Sequence, residues 1–440
     1  MAHTQHTGRS GDSVVERIIE WSARNKFFVF VLIGALFLGG LWCTLNTPLD
    51  ALPDLSDVQV IVYTPWEGRS PNLVEDQITY PIVTRLLSAP KVRVVRGFSF
   101  FGYSFVYVIF EDGTDIYWAR SRVLEYLQAI SGQLPPGVTP TLGPDATGVG
   151  WGFQYALVDR SGKHDLGQLR AFQDWYLRYW LQSIEGVAEV ATFGGFEKQY
   201  QITIDPDRLL AYGVSVGQIV DAVRRANNDV GARELEHYGT TYLVRGRGYI
   251  KSLDDLRKVT VAVDKRGVPI LLKEVASQIT FGPDMRRGAA DFNGEGDTPG
   301  GIVVIRFGEN VLRVIDRIKK KLEEIKPSLP EGVEIVTTYD RSDLIKRSIT
   351  TLTRTLIEES IIVSIIVLIF LLDIGGALRA IVVLPIAVVL AFIPMYFAGI
   401  TANIMSLAGI AISIGVLTDE AVVMVENVHK RLEHAPETHD

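Results

Sequence analysis

The sequence predicts a multi-pass α-helical membrane protein with a large α+β domain outside the cytoplasm, built from ferredoxin-like (split β-α-β) repeats. Three observations carry this. Apolar stretches gather at the two ends of the 440-residue chain, and several approach the roughly 20 residues that a spanning helix needs. Residues 46–347 between them have the make-up of an ordinary soluble domain. Within that region one order of helices, V-x-x-V strands and LP-x-GV turns occurs twice, the order of a split β-α-β unit.

Residues 1–26 are polar and basic, with Arg9, Arg17, Arg24 and Lys26, and their last part, VVERIIEWSARN, has the helical apolar spacing of a segment lying along a membrane surface. Residues 27–45 form an almost unbroken apolar run. It is too long for the apolar core of a signal peptide and no A-x-A-like site follows, so it is expected to stay as the first membrane helix. The basic flank sets its N-terminus in the cytoplasm. Three further spans are expected at 350–372, 379–400 and 404–428, with a cytoplasmic tail at 429–440. Arg379 suits an inside loop, and Pro385 and Pro394 predict kinks that neighbouring helices accommodate.

In the first copy of the repeat, helical YPIVTRLLS leads to the strands KVRVVRGF and YSFVYVIF, then to helical LEYLQAISGQ, the turn LPPGV and the extended TPTLGP. In the second, LRYWLQS leads to VAEVATFG and KQYQITID, then to KKKLEEIKPS, LPEGV and EIVTTYD. The expected units are 46–145 and 146–205 with 282–340. Residues 206–281 are expected to be an inserted subdomain.

The net charge of −7 gives no reason to expect nucleic acid, and the single cysteine, Cys43, excludes a disulfide within the chain and a cysteine metal cluster. No G-x-x-x-x-G-K-[ST] is present, so nothing supports ATP-driven chemistry, and no cofactor is expected. His3, His6, His434 and His439 lie in polar tails, and His164 and His237 lack ligand spacing. The run IKKKLEEIK reads as the solvated face of an amphipathic helix.

The last span, IMSLAGIAISIGVLTDEAVVMVENV, is different. It carries Asp419, Glu420 and Glu426, and a carboxylate in hydrocarbon costs about 2.5–3.5 kcal/mol on insertion scales. The bland alternative, a helix leaving the membrane at Leu417, is disfavoured because AVVMV resumes the apolar run and His429, Lys430 and Arg431 mark the exit. Asp419 and Glu426 share a face, with Gly415 four residues before Asp419. A carboxylate set there against a neighbouring helix binds and releases protons. Asp419 is the first candidate proton carrier, with Glu426 and Glu420 behind it.

Four stretches carry a family resemblance: PLDALPDLSDVQVIVYTPWEGRSPNLVEDQITYPI, VRGFSFFGYSFVYVIFEDGTDIYWARSRVLEYL, ITIDPDRLLAYGVS and VLTDEAVVMVENVHKRLE. The chain resembles the N-terminal part of a resistance-nodulation-division efflux pump, in the heavy-metal branch and closest to its copper(I)/silver(I) exporters. That resemblance implies a homotrimeric proton/metal antiporter of the bacterial inner membrane, surrounded by lipid and not an enzyme. Residues 206–281 would form a docking-type insertion in a periplasmic porter domain, meeting a periplasmic adaptor (membrane fusion protein) and an outer-membrane channel.

Three methionines, Met285, Met405 and Met424, fall where copper and silver pumps carry stepping-stone methionines, whose soft thioethers suit soft monovalent ions. Ser413 stands where the divalent exporters typically carry a further Asp. The implied cargo is Cu(I) or Ag(I), with zinc, cobalt or cadmium as the alternative. Read alone, Met405 and Met424 are ordinary packing residues, whereas Met285 sits between polar residues in GPDMRRG. Family members have two similar halves, and the second carries the Lys and acid that complete the relay. This chain is therefore expected to hold half of each site, as a truncated reading frame, one piece of a split gene, or a product that needs a separate C-terminal chain; the alternative is a non-transporting remnant or trimerising scaffold.

Overall fold

The computed structural model describes residues 14–286, 288–371 and 374–433. The tail histidines His3, His6, His434 and His439 lie outside these residues.

Helix α1 (Val14–Arg24) leads through Asn25 into α2 (Lys26–Asn46). Among the described residues α2 is the one helix long and apolar enough to cross a membrane. Its side chains face mostly outwards, with Gly40 and Cys43 as the buried exceptions. A Cβ at Gly40 would stand 2.7 Å from the Val389 carbonyl oxygen, so glycine is what lets the two backbones approach.

The first sheet holds β1 (Gln59–Pro65), β2 (Val92–Phe100), β3 (Tyr103–Phe110) and β4 (Thr141–Leu142) in the order β2-β3-β1-β4, every pair antiparallel. Helices α3 (Tyr80–Leu86) and α4 (Ile116–Ile130) cover one face. In α4, Ile116, Ala119, Val123, Leu127 and Ile130 are buried, at the spacing of a single helix face. All but Ile116, together with Ile82, pack on Val60, Val62, Val106 and Val108, the inward alternation of β1 and β3. Asp115 caps α4 by accepting from the Trp118 N–H at 2.7 Å.

The second sheet repeats this topology. It begins with β5 (Trp151–Asp159), a helical stretch from Leu166 to Gln182 with a π-turn in its middle, and β6 (Val187–Phe193). The chain then leaves the sheet along β7 (Lys198–Ile204) and runs through α5 (Pro206–Tyr212), α6 (Val216–Ala226), the hairpin β8 (Val230–His237) with β9 (Thr240–Gly246), and β10 (Thr260–Val263) with β11 (Pro269–Leu271). It returns along β12 (Ala276–Pro283), the antiparallel partner of β7. The inserted segment has its own core of Ile219, Ala222, Leu256, Val261, Ile270, Leu272 and Val275. Strand β13 (Gly300–Ile305), helix α7 (Val311–Ile325) and β14 (Val333–Asp340) then close the sheet in the order β14-β5-β13-β6.

This corrects one part of the repeat. KQYQITID does not correspond to YSFVYVIF, because β7 bonds to β12 and not to the second sheet. The counterpart of β3 is β13, paired with both β5 and β6. The insertion therefore opens between the second and third strands of the unit. Its two ends meet at Gly194, whose φ is 66°, and where a Cβ would lie 2.1 Å from the Thr298 carbonyl oxygen.

Helix α8 (Arg341–Leu371) follows β14 directly, without a loop. Then come α9 (Ile374–Phe397), which contains Pro385 and Pro394, and α10 (Ile404–Glu433). The apolar stretches within α9 and α10 are Val382–Phe397 and Ile404–Leu417, each shorter than α2. Cys43, Phe392, Ala402 and Leu407 form a small buried cluster that joins α2, α9 and the start of α10.

Candidate functional site

Helix α10 carries five of the six predicted site residues, and its beginning is tightly defined. The Asn403 carboxamide oxygen accepts the Met405 and Ser406 N–H groups at 2.9 and 3.1 Å. The Ser406 hydroxyl donates to the Thr401 carbonyl at 2.9 Å. These bonds satisfy amides that a helix start leaves unpaired, and they fix where Met405 sits.

Further along, the Ser413 hydroxyl donates to the Gly409 carbonyl at 2.9 Å, so it is engaged within its own helix. Nothing lies within 4 Å of a Cβ built at Gly415, which leaves room for another helix to approach. Asp419 and Glu420 are exposed, and among the described residues neither has an ion-pair partner. Glu426 pairs with Lys430 at 2.6 Å, one turn on. At about 1.5 Å per residue, Glu426 is about 10 Å from Asp419 along the helix. The two carboxylates share a face without forming one site.

Met405 and Met424 are exposed at 63% and 59%. They lie about 28 Å apart along the helix axis, too far to hold one ion. Met285 follows β12 and is 64% exposed, with its N–H donating to the Asp284 carboxylate at 2.6 Å. It borders an open cleft of about 460 Å³ with Arg170, Glu197, Asp284 and Arg286. Among the described residues the two cations there are engaged: Arg170 with Asp174 and the Gly194 carbonyl at 2.7 and 2.8 Å, Arg286 with Asp297. The cleft thus presents a thioether beside the carboxylates Asp284 and Glu197. Three separate methionine positions result, and among the described residues no three His, Cys, Asp or Glu side chains converge as a metal-holding group.

A constellation that sequence reasoning missed lies where these helices meet the sheets. Asp50, just past α2, holds Arg341 at 2.9 Å, with side-chain exposures of 14% and 6%. The Arg341 guanidinium also donates to the Val149 carbonyl. Withdrawal from water pushes the Asp50 carboxyl above its ordinary value, against the opposing pull of Arg341. The backbone adds a parallel bridge between Leu49 and Ala402. The amides of Ala402, Asp50 and Ile404 donate to the carbonyls of Pro48, Ala402 and Ala51 at 2.9, 3.1 and 3.2 Å. At the other end of the junction, Lys319 of α7 pairs with Asp340 and bonds the Ser342 hydroxyl at 3.0 Å. The available signal was a charged residue between each expected span and the soluble region, Asp50 and Arg341; nothing local links the two.

Comparison with known proteins gives a consistent picture. The sequence profile of the AcrB/AcrD/AcrF family matches residues 18–440. The chain is 54% identical over 428 residues to the cation efflux system protein CusA of Escherichia coli (strain K12), covering 97% of this chain and 41% of that protein. It is 53% identical to SilA of Salmonella typhimurium, a cation efflux system protein by name, with 97% and 41% covered. The fold superimposes on a crystal structure of a heavy metal efflux pump with a TM-score of 0.83 at 31% identity, covering 95% of this chain and 42% of that one. The chain therefore spans about two fifths of the length of the relatives it matches.

Proposed function

The chain belongs to the AcrB/AcrD/AcrF family, and from that premise we propose that it is the N-terminal part of a proton-coupled heavy-metal efflux pump, a secondary transporter of the bacterial inner membrane. The observation that carries this reading is α10, in which Asp419 stands exposed beyond an apolar stretch and beside the open face at Gly415. A carboxylate at that depth calls for a partner on another helix.

In this reading α2, α8, α9 and α10 each cross the bilayer, with both ends of the chain in the cytoplasm and the two sheets in the periplasm. The two four-stranded sheets form porter units, and the excursion from β7 to β12 is a docking-type insertion toward an adaptor and an outer-membrane channel. The assembly is a trimer completed by the segment that the longer relatives possess. Asp419 takes a proton from outside, loses its charge and shifts α10; release inside restores the charge. Glu420 and Glu426 lie along the exit. Met285 receives the ion at the cleft, and Met405 and Met424 are later stations on the same route. Three well-separated thioethers, and a Ser413 hydroxyl turned back into its own helix, support Cu(I) or Ag(I) as cargo, since soft sulfur ligands favour soft monovalent ions.

Growth of a host lacking its own copper exporter tests this, with the chain expressed together with the C-terminal part of a related pump. Tolerance to copper and silver should return, and be lost with Asp419→Asn or Met285→Ile. Rescue confined to zinc or cobalt would overturn the soft-metal cargo. Membrane-inserted protein that rescues no metal would point to a scaffold.

A further inference from the structure

We propose that Asp50 and Arg341 form a clasp that passes movement of α10 to the second sheet, a positioning role that rests on reading the chain as a proton-coupled pump. The start of α10 cannot move alone. Ala402 and Ile404 are hydrogen-bonded to residues 48–51, and Asp50 returns a bond to Ala402, so a shift of α10 along its axis carries this segment with it. The Asp50 carboxylate, in turn, grips Arg341 at 2.9 Å in a site largely closed to water.

Arg341 faces two ways. It is the first residue of α8, directly after β14, and its guanidinium also donates to the carbonyl of Val149, two residues before β5. Strands β14 and β5 are paired neighbours, with Asp340 opposite Phe153. One planar side chain therefore bridges the membrane-edge segment and the beginning of the central strand β5.

The choice of residue types fits a positional role. A buried ion pair contributes little net stability compared with apolar packing of the same volume, and its better attested use is to hold register. Arginine keeps its charge at every relevant pH and offers a rigid fork that two acceptors can share, which a lysine point charge cannot reproduce. Lys319, reaching from α7 to Asp340 and Ser342, braces the same corner of the sheet.

The test is hydrogen exchange on the chain co-reconstituted in nanodiscs with the C-terminal part used for growth, comparing Asp419→Asn, Arg341→Lys and the double variant. Asp419→Asn, which mimics the protonated helix, should change exchange by about tenfold or more at both 401–404 and 149–157. In the Arg341→Lys background the same substitution should change 401–404 alone, the non-additivity expected of a broken link. Melting temperature and exchange in the first sheet should stay as in the parent. If the response still reaches 149–157 in the double variant, or never reaches it in the parent, the clasp is not the route. Uniformly faster exchange in Arg341→Lys would reduce the pair to a fold element and overturn the proposal. Failure of metal rescue with the exchange pattern intact removes the cargo and leaves the clasp; rescue with no pattern does the reverse.

Discussion

The two sheets share one strand order, yet one is continuous and the other is interrupted. In the first, β2 turns into β3 through Phe101 and Gly102, and Gly102 has a φ of 83°. In the second, the equivalent turn between β6 and β13 is replaced by the whole of the β7–β12 excursion. Both units keep a core between sheet and helices, built in one case on Val62, Val106 and Ile82 and in the other on Tyr155, Leu181 and Ile315. A surface hairpin turn is where a chain tolerates insertion, because few buried contacts cross it. The difference teaches that strand order is set by the sheet's own pairing, not by continuity of the chain.

The strongest way to break that comparison is to remove the excursion. Joining 194 to 298 by a short turn should leave β5, β6, β13 and β14 as slow to exchange hydrogen as in the parent; loss of their protection would mean that the second unit depends on its insert. Core truncations come next. Ile82→Ala and Ile315→Ala, both at fully buried positions, should each cost about 2–5 kcal/mol by chemical denaturation, the first loosening only β1–β4 and the second only the other sheet. Equal loosening of both sheets by either variant would show a single cooperative body.

A smaller effect compares one turn in each unit. Gly194→Ala meets the Thr298 carbonyl as well as an unfavourable φ, whereas Gly113→Ala, at a φ of 77° with nothing within 4 Å of the added Cβ, meets the φ alone, a penalty of about 1–2 kcal/mol. The Gly194 variant should therefore melt lower. Asp115→Ala, which removes the α4 cap, should cost about 1 kcal/mol and show as faster exchange in the first turn of that helix.

The smallest effect is a titration. Hydrogen bonds from Ser161, together with the His164 amide, hold Asp159 down at about 2, below the ordinary 3.8. A depressed carboxylate contributes stability that is present above its unfolded value and is lost as the pH falls through the folded one. The window is thus from about pH 4 down to about pH 2, and an NMR titration of Asp159 should place its midpoint near the lower figure; a midpoint near 3.8 would deny these bonds any effect.

Much of this was legible in the residues. The periodicity of LEYLQAI and the apolar run of α2 announced their helices. What escaped was pairing. KQYQITID alternates as a strand should, but alternation says nothing of its partner, and the partner β12 lies beyond α5, α6 and two strand pairs. The opening strands β1 and β5 went unnamed although QVIVYTP alternates buried and half-buried positions along β1. The Asp50–Arg341 contact was invisible because its two residues meet only after both sheets and the insert have folded between them. On α10 the expected helix is present and carries Asp419 and Glu426 two turns apart, while the bond from Glu426 to Lys430 depends on a side-chain rotamer.

The β7–β12 ribbon has a consequence for engineering. Both passages between sheet and insert run through two strands in register from Thr203 opposite Gln278 to Lys198 opposite Pro283, and paired strands lie about 4.8 Å apart. That makes the ribbon a socket of standard gauge. A reporter domain whose own termini emerge side by side can be plugged in at its far end, with the host sheet left to fold around an unchanged stem, and a fluorescent cargo mounted there would read out how the ribbon is held.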